Sequence, residues 1–505
     1  YNGRMMIRSN QNFDGREKLI YTNLYNGLLH TMTEFVNSSS DTVSDDISPL
    51  QPTMQLSQEQ ARVFELYNQG KNIFVTGPGG TGKTQLIRSI YKDATDKGKK
   101  IQVCAMTGCA ALLLDCSAKT VHSWAGIGLG NGDIGVISTR ISMDKWKRKP
   151  WRTTDILVID EVSMMSTRMF DLLDQVGRVV RKRYSEPFGG IQVIFSGDFF
   201  QLPPVGSRDD PDTSAFCFES QVWDTTFHNT VELTHLFRQT DDTYRKILGE
   251  IREGRLARSS YNILKARQAI SALTPTDTVA EGEFATPFLF PTRKRVNDLN
   301  AKRYAELGGG DGMEFQMGEV PVDDLKLTPS QLNIYHRCRR EDVEREVKRL
   351  TDNVNALPSI NLKVGTQVMC VSNIDMEIPN MAVANGSQGI VTDFRGGVPF
   401  VRFKSGLERV IRPQTFKSEA FVGVAVRQIP LVYAWAVSIH KSQGATMDSA
   451  RLDIGSNVFE AGQTYVALSR IKSLDGLYID AFEPQKIKTN KRVKAYYAKL
   501  REETI

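Results

Sequence analysis

The sequence predicts an α/β protein of two doubly wound domains, each carrying an insert. Short apolar strands alternate with amphipathic helices from Leu56 onward, and the same alternation resumes late in the chain at LVYAWAVSI. Each alternating stretch is broken by a segment of different character. Strand and helix in turn give a parallel sheet with helices on both faces, and ligands of such sheets bind at the carboxyl ends of the strands. A chain of 505 residues exceeds one ordinary core and fits two or three domains.

Residues 1–55 are expected to form an extension. A small helical piece carries Phe13, Leu19, Tyr21, Leu24 and Leu28, and a polar, acidic linker begins at Asn37. The first domain, 56–233, should hold strands at Asn72–Thr76, Ile101–Ala105, Ile156–Asp160 and Gln192–Ser196. Its small insert, about 127–151, ends in KWKRKPWR. A charge run is ordinarily a solvated face, but Trp146 and Trp151 among those cations tilt it toward contact with a nucleic-acid strand. The second domain is expected over 234–361 and 431–505. Between these parts, 362–430 reads as a β-rich, SH3-like antiparallel barrel. Its short runs LKVGTQVMCV, NGSQGIVTDF and GGVPFVRF are separated by N-G and G-G turn signals.

Composition narrows the chemistry. The 64 Lys and Arg against 58 Asp and Glu leave a net charge of +6, which suits a phosphate-bearing partner without requiring one. Cysteines at 104, 109, 116, 217, 338 and 370 form no C-x-x-C pair, so neither zinc nor a disulfide framework is expected and the thiols suit an intracellular protein. No run approaches the roughly 18 apolar residues of a membrane span, so no membrane partner is expected.

The most informative segment is GPGGTGKT, set between the apolar strand NIFVT and the helix QLIRSIY. That is the context of a P-loop. Gly77, Pro78, Gly79, Gly80, Thr81 and Gly82 let backbone N–H groups close around phosphates, Lys83 reaches the β and γ phosphates, and Thr84 holds magnesium. A second half-site follows at DILVIDEVSM, where a strand ends in two acids. Asp160 is the candidate for the metal and Glu161 for activation of the attacking water. ATP and Mg2+ are the cofactors this pair of motifs calls for.

The stretch PFGGIQVIFSGDFFQLPPV, residues 187–205, resembles the marker region of the Pif (petite integration frequency) helicases of superfamily 1B. The resemblance runs in order from Leu56 to about Tyr497. It implies RecA-like ATPase domains and a role for each matching residue. Gln60 of LSQEQ would read the adenine base, and Gln201 of GDFFQLPPV would sense the γ phosphate. Arg238 of LTHLFRQ and Arg470 of YVALSR match arginine fingers. Gln443 and Gly444 of SIHKSQGATMD would lie near the γ phosphate, in a motif that joins the nucleotide and DNA sites. Thr107 and Gly108 of AMTGCAA, with Thr120, His122 and Ser123 of TVHSWAGIG, would lie along the DNA backbone, and His440 would join them. Either histidine has an ordinary packing role as its alternative, and Trp124 suits base stacking or the core equally.

Distance along the chain supports the arginine assignments. Arg238 and Arg470 are far from the P-loop in sequence and can reach it only by closure of a second domain, which would couple turnover to movement. The resemblance further implies 5′-to-3′ travel on single-stranded DNA, with forked or structured DNA, RNA–DNA hybrids and G-quadruplexes as substrates. One chain holds every part of such a motor, so a monomer suffices. The alternatives are a nucleotide-gated nucleic-acid-binding scaffold and an RNA-preferring superfamily 1 helicase.

Overall fold

The computed structural model describes residues 56–502, apart from 115, 129, 131, 207–209, 274–283, 309, 311, 355, 376–377, 379–380, 384–385 and 419–420. The expected extension over 1–55 lies outside the described residues.

The first sheet has six parallel strands: β1 Ile73–Thr76, β2 Ile101–Ala105, β3 Lys119–Thr120, β4 Ile156–Asp160, β5 Gln192–Gly197 and β6 Asn229–Glu232. Their spatial order is β3-β2-β4-β5-β1-β6, which includes all four expected strands. Every residue of β1 and β4 is buried, the mark of a parallel strand covered on both faces. Side chains alternate between those faces. Ile73, Val75, Ile156 and Val158 enter one apolar cluster, while Phe74, Leu157 and Ile159 enter the other.

A second parallel sheet contains β7 Phe288–Phe290, β8 Ala436–Ser438, β9 Ala450–Ile454 and β10 Leu477–Phe482 in the order β8-β7-β9-β10. The run LVYAWAVSI divides between two sheets. Leu431–Tyr433 pairs antiparallel with Gln367–Cys370 in a five-stranded sheet, and only Ala436–Ser438 joins β7. The β-rich part also reaches outside 362–430. Met313–Gln316 pairs with Ser359–Leu362, and Gly318 and Glu319 pair with Arg427 and Val426. Alternation along a strand reveals its faces but not its partner, so these joins could not be read from the chain.

The helix Lys491–Glu502, expected with the second domain, packs its aromatic residues on the first. Tyr496 stacks on Phe218 with ring centroids 4.4 Å apart, and Tyr497 stacks on Phe200 at 4.6 Å. Trp223 Nε1 donates to Tyr496 Oη at 3.2 Å. The chain therefore crosses between the domains twice.

The small insert is helical, with Ile134–Met143 and Arg148–Thr153. Its two tryptophans separate. Trp146 is 61% exposed, whereas Trp151 is fully buried, donates to the Ala125 carbonyl at 3.0 Å, and packs on Trp124 with centroids 4.5 Å apart. Trp151 is thus a core residue rather than a strand contact, and so is Trp124, at 5% exposure. Thermal or urea denaturation should show Trp151→Ala losing about 3–5 kcal/mol. Trp146→Ala should stay within about 0.5 kcal/mol of wild type.

Candidate nucleotide site and nucleic-acid face

The P-loop leaves β1 at Thr76 and enters the helix Lys83–Asp96. Gly80 and Gly82 take φ values of 97° and 80°, where a side chain is strained. The surroundings exclude a side chain as well. A Cβ at Gly80 would lie 2.7 Å from Arg238 Cβ, and one at Gly82 would lie 2.8 Å from Gln60 Nε2. The helix start aims its free N–H groups into the loop, which suits an anion.

Lys83 Nζ donates to the carbonyls of Gly77 at 2.6 Å and Pro78 at 2.8 Å. Loss of solvent pulls its pKa down, against the pull of Asp198, Glu161 and Asp160. Thr84 follows in the first helical turn. Gln60 is placed by a capping box with Ser57 at the start of Gln58–Asn68, and its Nε2 donates to the Thr81 carbonyl at 3.3 Å.

Asp160 ends β4 in a buried position. Burial, then the neighbouring Glu161, push its carboxyl up to about 6. Glu161 has φ 57°, in the left-handed region, which costs a non-glycine residue of the order of 1 kcal/mol. The sharp turn presents its carboxylate to another domain, where Gln443 Nε2 donates to it at 3.0 Å and lies 3.5 Å from Gln201 Oε1. Among the described residues the buried Oε1 of Gln443 has no hydrogen-bond partner. Gly444 turns the chain just beyond, at φ 81°.

Both predicted arginines stand at the P-loop. The Gly80 carbonyl accepts from the amides of Phe237 at 2.9 Å and Arg238 at 3.3 Å, and Arg238 Nη1 donates to the Ser469 carbonyl at 3.0 Å. Arg470 is 2% exposed, donates to the Val466 carbonyl at 3.0 Å, and has Nη2 3.5 Å from where a Cβ at Gly79 would lie. Burial, then Arg470, bring the Arg238 guanidinium down to about 10. Among the described residues neither guanidinium forms an ion pair, so Lys83, Arg238 and Arg470 make a cluster of cations held mainly by carbonyls, with Glu161 acting on all three from beyond direct contact. Such a cluster favours a polyanion.

The expected strand contacts lie on the other half of the same sheet edge, after β2 and β3. Thr107 Oγ1 accepts from the Ala110 amide at 3.2 Å at the start of Gly108–Leu114, and Thr120 Oγ1 accepts from the Ser123 amide at 3.4 Å, capping Val121–Ala125. His122 is held below its ordinary pKa by burial and then by Arg349. His440 is lowered by burial and then by Arg293, and its ring stacks on Phe459 at 5.9 Å. A cavity of about 800 Å³ lined by Arg293, Asn297, Tyr304, Lys441, Ser442 and Gln443 adjoins the motif that carries His440. The nucleotide residues are brought together, while Thr107, Gly108, Thr120, His122 and Ser123 follow β2 and β3 of the first sheet and His440 follows β8 of the second.

Sequence reasoning missed a buried trio. Asp198 is fully buried and bonded to Arg252 at 2.9 Å, and Tyr465 Oη donates to it at 3.1 Å. Asp198 lies inside GDFFQLPPV and could have been singled out. Arg252 is one cation among 64 Lys and Arg and carries no local signal. Removing one partner of a buried pair strands the other charge, so urea denaturation of Arg252→Ala should show a loss of about 3–5 kcal/mol. The 68%-exposed side chain of Arg255 supplies the control, and Arg255→Ala should change stability by less than about 0.5 kcal/mol.

A sequence model of the PIF1-like helicase family matches residues 55–260. The chain is 35% identical to the ATP-dependent DNA helicase PIF1 of Danio rerio over 89% of its own length. It spans 65% of that protein, just under two thirds. It is 32% identical to the ATP-dependent DNA helicase RRM3 of Saccharomyces cerevisiae, over 88% of this chain and 68% of that one. The crystal structure of Pif1 helicase from Candida albicans matches with a TM-score of 0.72 at 31% identity, over 88% of this chain and 100% of that one. Pif1 helicase from Bacteroides in complex with ADP-AlF3 and ssDNA matches with a TM-score of 0.62 at 26% identity, over 89% and 98% of the two chains. Motif order, paired parallel sheets and these likenesses agree: the chain belongs to the PIF1-like helicase family.

Proposed function

We propose that this protein is an ATP-driven helicase that moves 5′ to 3′ along single-stranded DNA and opens the duplex ahead of it. The observation that carries the reading is the meeting of Arg238 and Arg470 with the P-loop. Hydrolysis of a γ phosphate needs positive charge against the transferring group, and an arginine delivered by another domain makes chemistry conditional on domain closure.

In this reading the Lys83 ammonium leaves the loop carbonyls for phosphate oxygens. Glu161 takes the proton of the attacking water, Gln443 holds that carboxylate in line, and Gln201 Oε1 accepts from the same Gln443 amide. Gln60 sits against the loop at the place for the base. A hydroxyl and a carboxylate are hard oxygen donors, so Thr84 and Asp160 would hold Mg2+, which supplies charge neutralisation on the phosphates.

Thr107, Gly108, Thr120, His122, Ser123 and His440 would form the strand path, with Gln443 as its link to the nucleotide. Bacteroides Pif1 has been solved bound to ssDNA, and another Pif1 structure addresses DNA unwinding at forked dsDNA by two coordinating helicases. Forked DNA is accordingly the first substrate proposed here, with RNA–DNA hybrids and G-quadruplexes after it and a single chain as the working unit. Intracellular sites fit a reduced-thiol protein, and no helix among the described residues is long and apolar enough to cross a membrane.

A forked duplex with a 5′ single-stranded tail should be unwound in the presence of ATP, while its 3′-tailed counterpart should not. Equal unwinding of both would remove the polarity, and hydrolysis without any strand release would favour a scaffold. Glu161→Gln should lower DNA-stimulated turnover by about a hundredfold or more while retaining nucleotide binding. Lys83→Ala should lose both. Affinity for the strand should fall steeply with salt, as expected when cations displace condensed counterions.

A further inference from the structure

One hydroxyl of the second domain stands between two polar groups of the first. Tyr465, on the helix Gln463–Ser469, accepts a hydrogen bond from the Gly79 amide at 3.0 Å and donates one to Asp198 Oδ2 at 3.1 Å. Burial, then Asp198, raise the phenol well above its usual range, so its proton stays in place. The chain of donors therefore runs one way, from the Gly79 N–H through the phenol to the carboxylate.

Both ends of this bridge matter to the site. Asp198 shapes the turn that presents Gln201, accepting from the Phe200 amide at 3.2 Å and, through its carbonyl, from the Gln201 amide at 2.8 Å. At the far end of the tyrosine's helix, the Ser469 carbonyl receives Arg238, and Arg470 follows directly. Tyr465 is 3% exposed, so water does not substitute for its hydroxyl while the domains are docked.

We propose that Tyr465 is a positioning residue, a latch whose hydroxyl holds the second domain on the P-loop so that Arg238 and Arg470 reach the transferring phosphate. The inference rests on the phosphate cradle assigned above. Both groups that the phenol satisfies belong to the first domain. In the docked arrangement, loss of the hydroxyl leaves the Gly79 amide without its acceptor and leaves Asp198 with Arg252 as its side-chain donor. The penalty falls on docking and hardly on nucleotide binding to the P-loop.

Tyr465→Phe keeps the ring and removes only the hydroxyl. In the full chain, kcat for DNA-stimulated hydrolysis should fall about tenfold, while the affinity for a fluorescent ADP analogue with magnesium stays within about twofold. A purely structural role would instead reduce turnover and binding together, in proportion to the folded protein, and that outcome overturns the latch. So does a kcat within about twofold of wild type. If wild-type protein fails to bind the fluorescent probe, the cradle assignment falls and the latch with it. Should the variant not fold, hydrogen exchange at the Gly79 amide of wild type decides: slow exchange supports the bridge, and exchange at the rate of an open loop overturns it.

Discussion

Positive charge gathered beside the P-loop, with Arg238 and Arg470 in no direct ion pair among the described residues, is the constraint on which the rest of the structure depends. Lys83, Arg238 and Arg470 come from three distant stretches of chain and converge where water is scarce. Their hydrogen bonds go largely to backbone carbonyls, including those of Gly77, Ser469 and Val466. A carbonyl orients a cation without neutralising it. Burial, then Arg470, weaken the hold of Arg238 on its proton, burial does the same to Arg470, and such an arrangement becomes favourable when a polyanion arrives. Nucleotide and domain docking are in this way linked through one electrostatic account, with each favouring the other.

The scaffold keeps that convergence accurate while leaving it breakable. β1 and β4 are buried on both faces, so the P-loop and the Asp160–Glu161 turn rise from rigid strands. The Lys491–Glu502 helix returns from the second domain to stack Tyr496 and Tyr497 against the first. Arg252 adds a buried ion pair to Asp198 and lies 4.4 Å from the Phe200 ring. The ion pair shares Asp198 with Tyr465, and so it meets the small set of hydrogen bonds at the P-loop through one carboxylate. Apolar packing fixes where the domains are attached, and polar contacts are left to register whether they are closed.

Much of the site was legible because its chemistry is written locally. GPGGTGKT and the acids after ILVI need only a strand, a turn and a helix to take their places, and the strands β1, β2, β4 and β5 announced themselves by apolar runs. What could not be read is what depends on contacts between distant segments. Tyr465 looks like one more apolar position in YVALSR until Gly79 and Asp198 are seen on either side of its hydroxyl. Trp146 and Trp151 share one basic run, yet the first lies in the turn before the helix Arg148–Thr153 and faces solvent, while the second lies within that helix and enters the core. Likewise Leu431–Tyr433 and Ala436–Ser438 are continuous in hydrophobicity but belong to different sheets, since strand pairing is decided by partners far away in the chain.

The most direct test is steady-state hydrolysis by Arg238→Ala and Arg470→Ala at saturating single-stranded DNA, with nucleotide affinity measured alongside. If the two guanidiniums complete the reaction centre on closure, each variant should lose about a thousandfold or more in kcat and still bind nucleotide nearly as wild type does. Turnover within a few-fold of wild type in either variant would contradict the account.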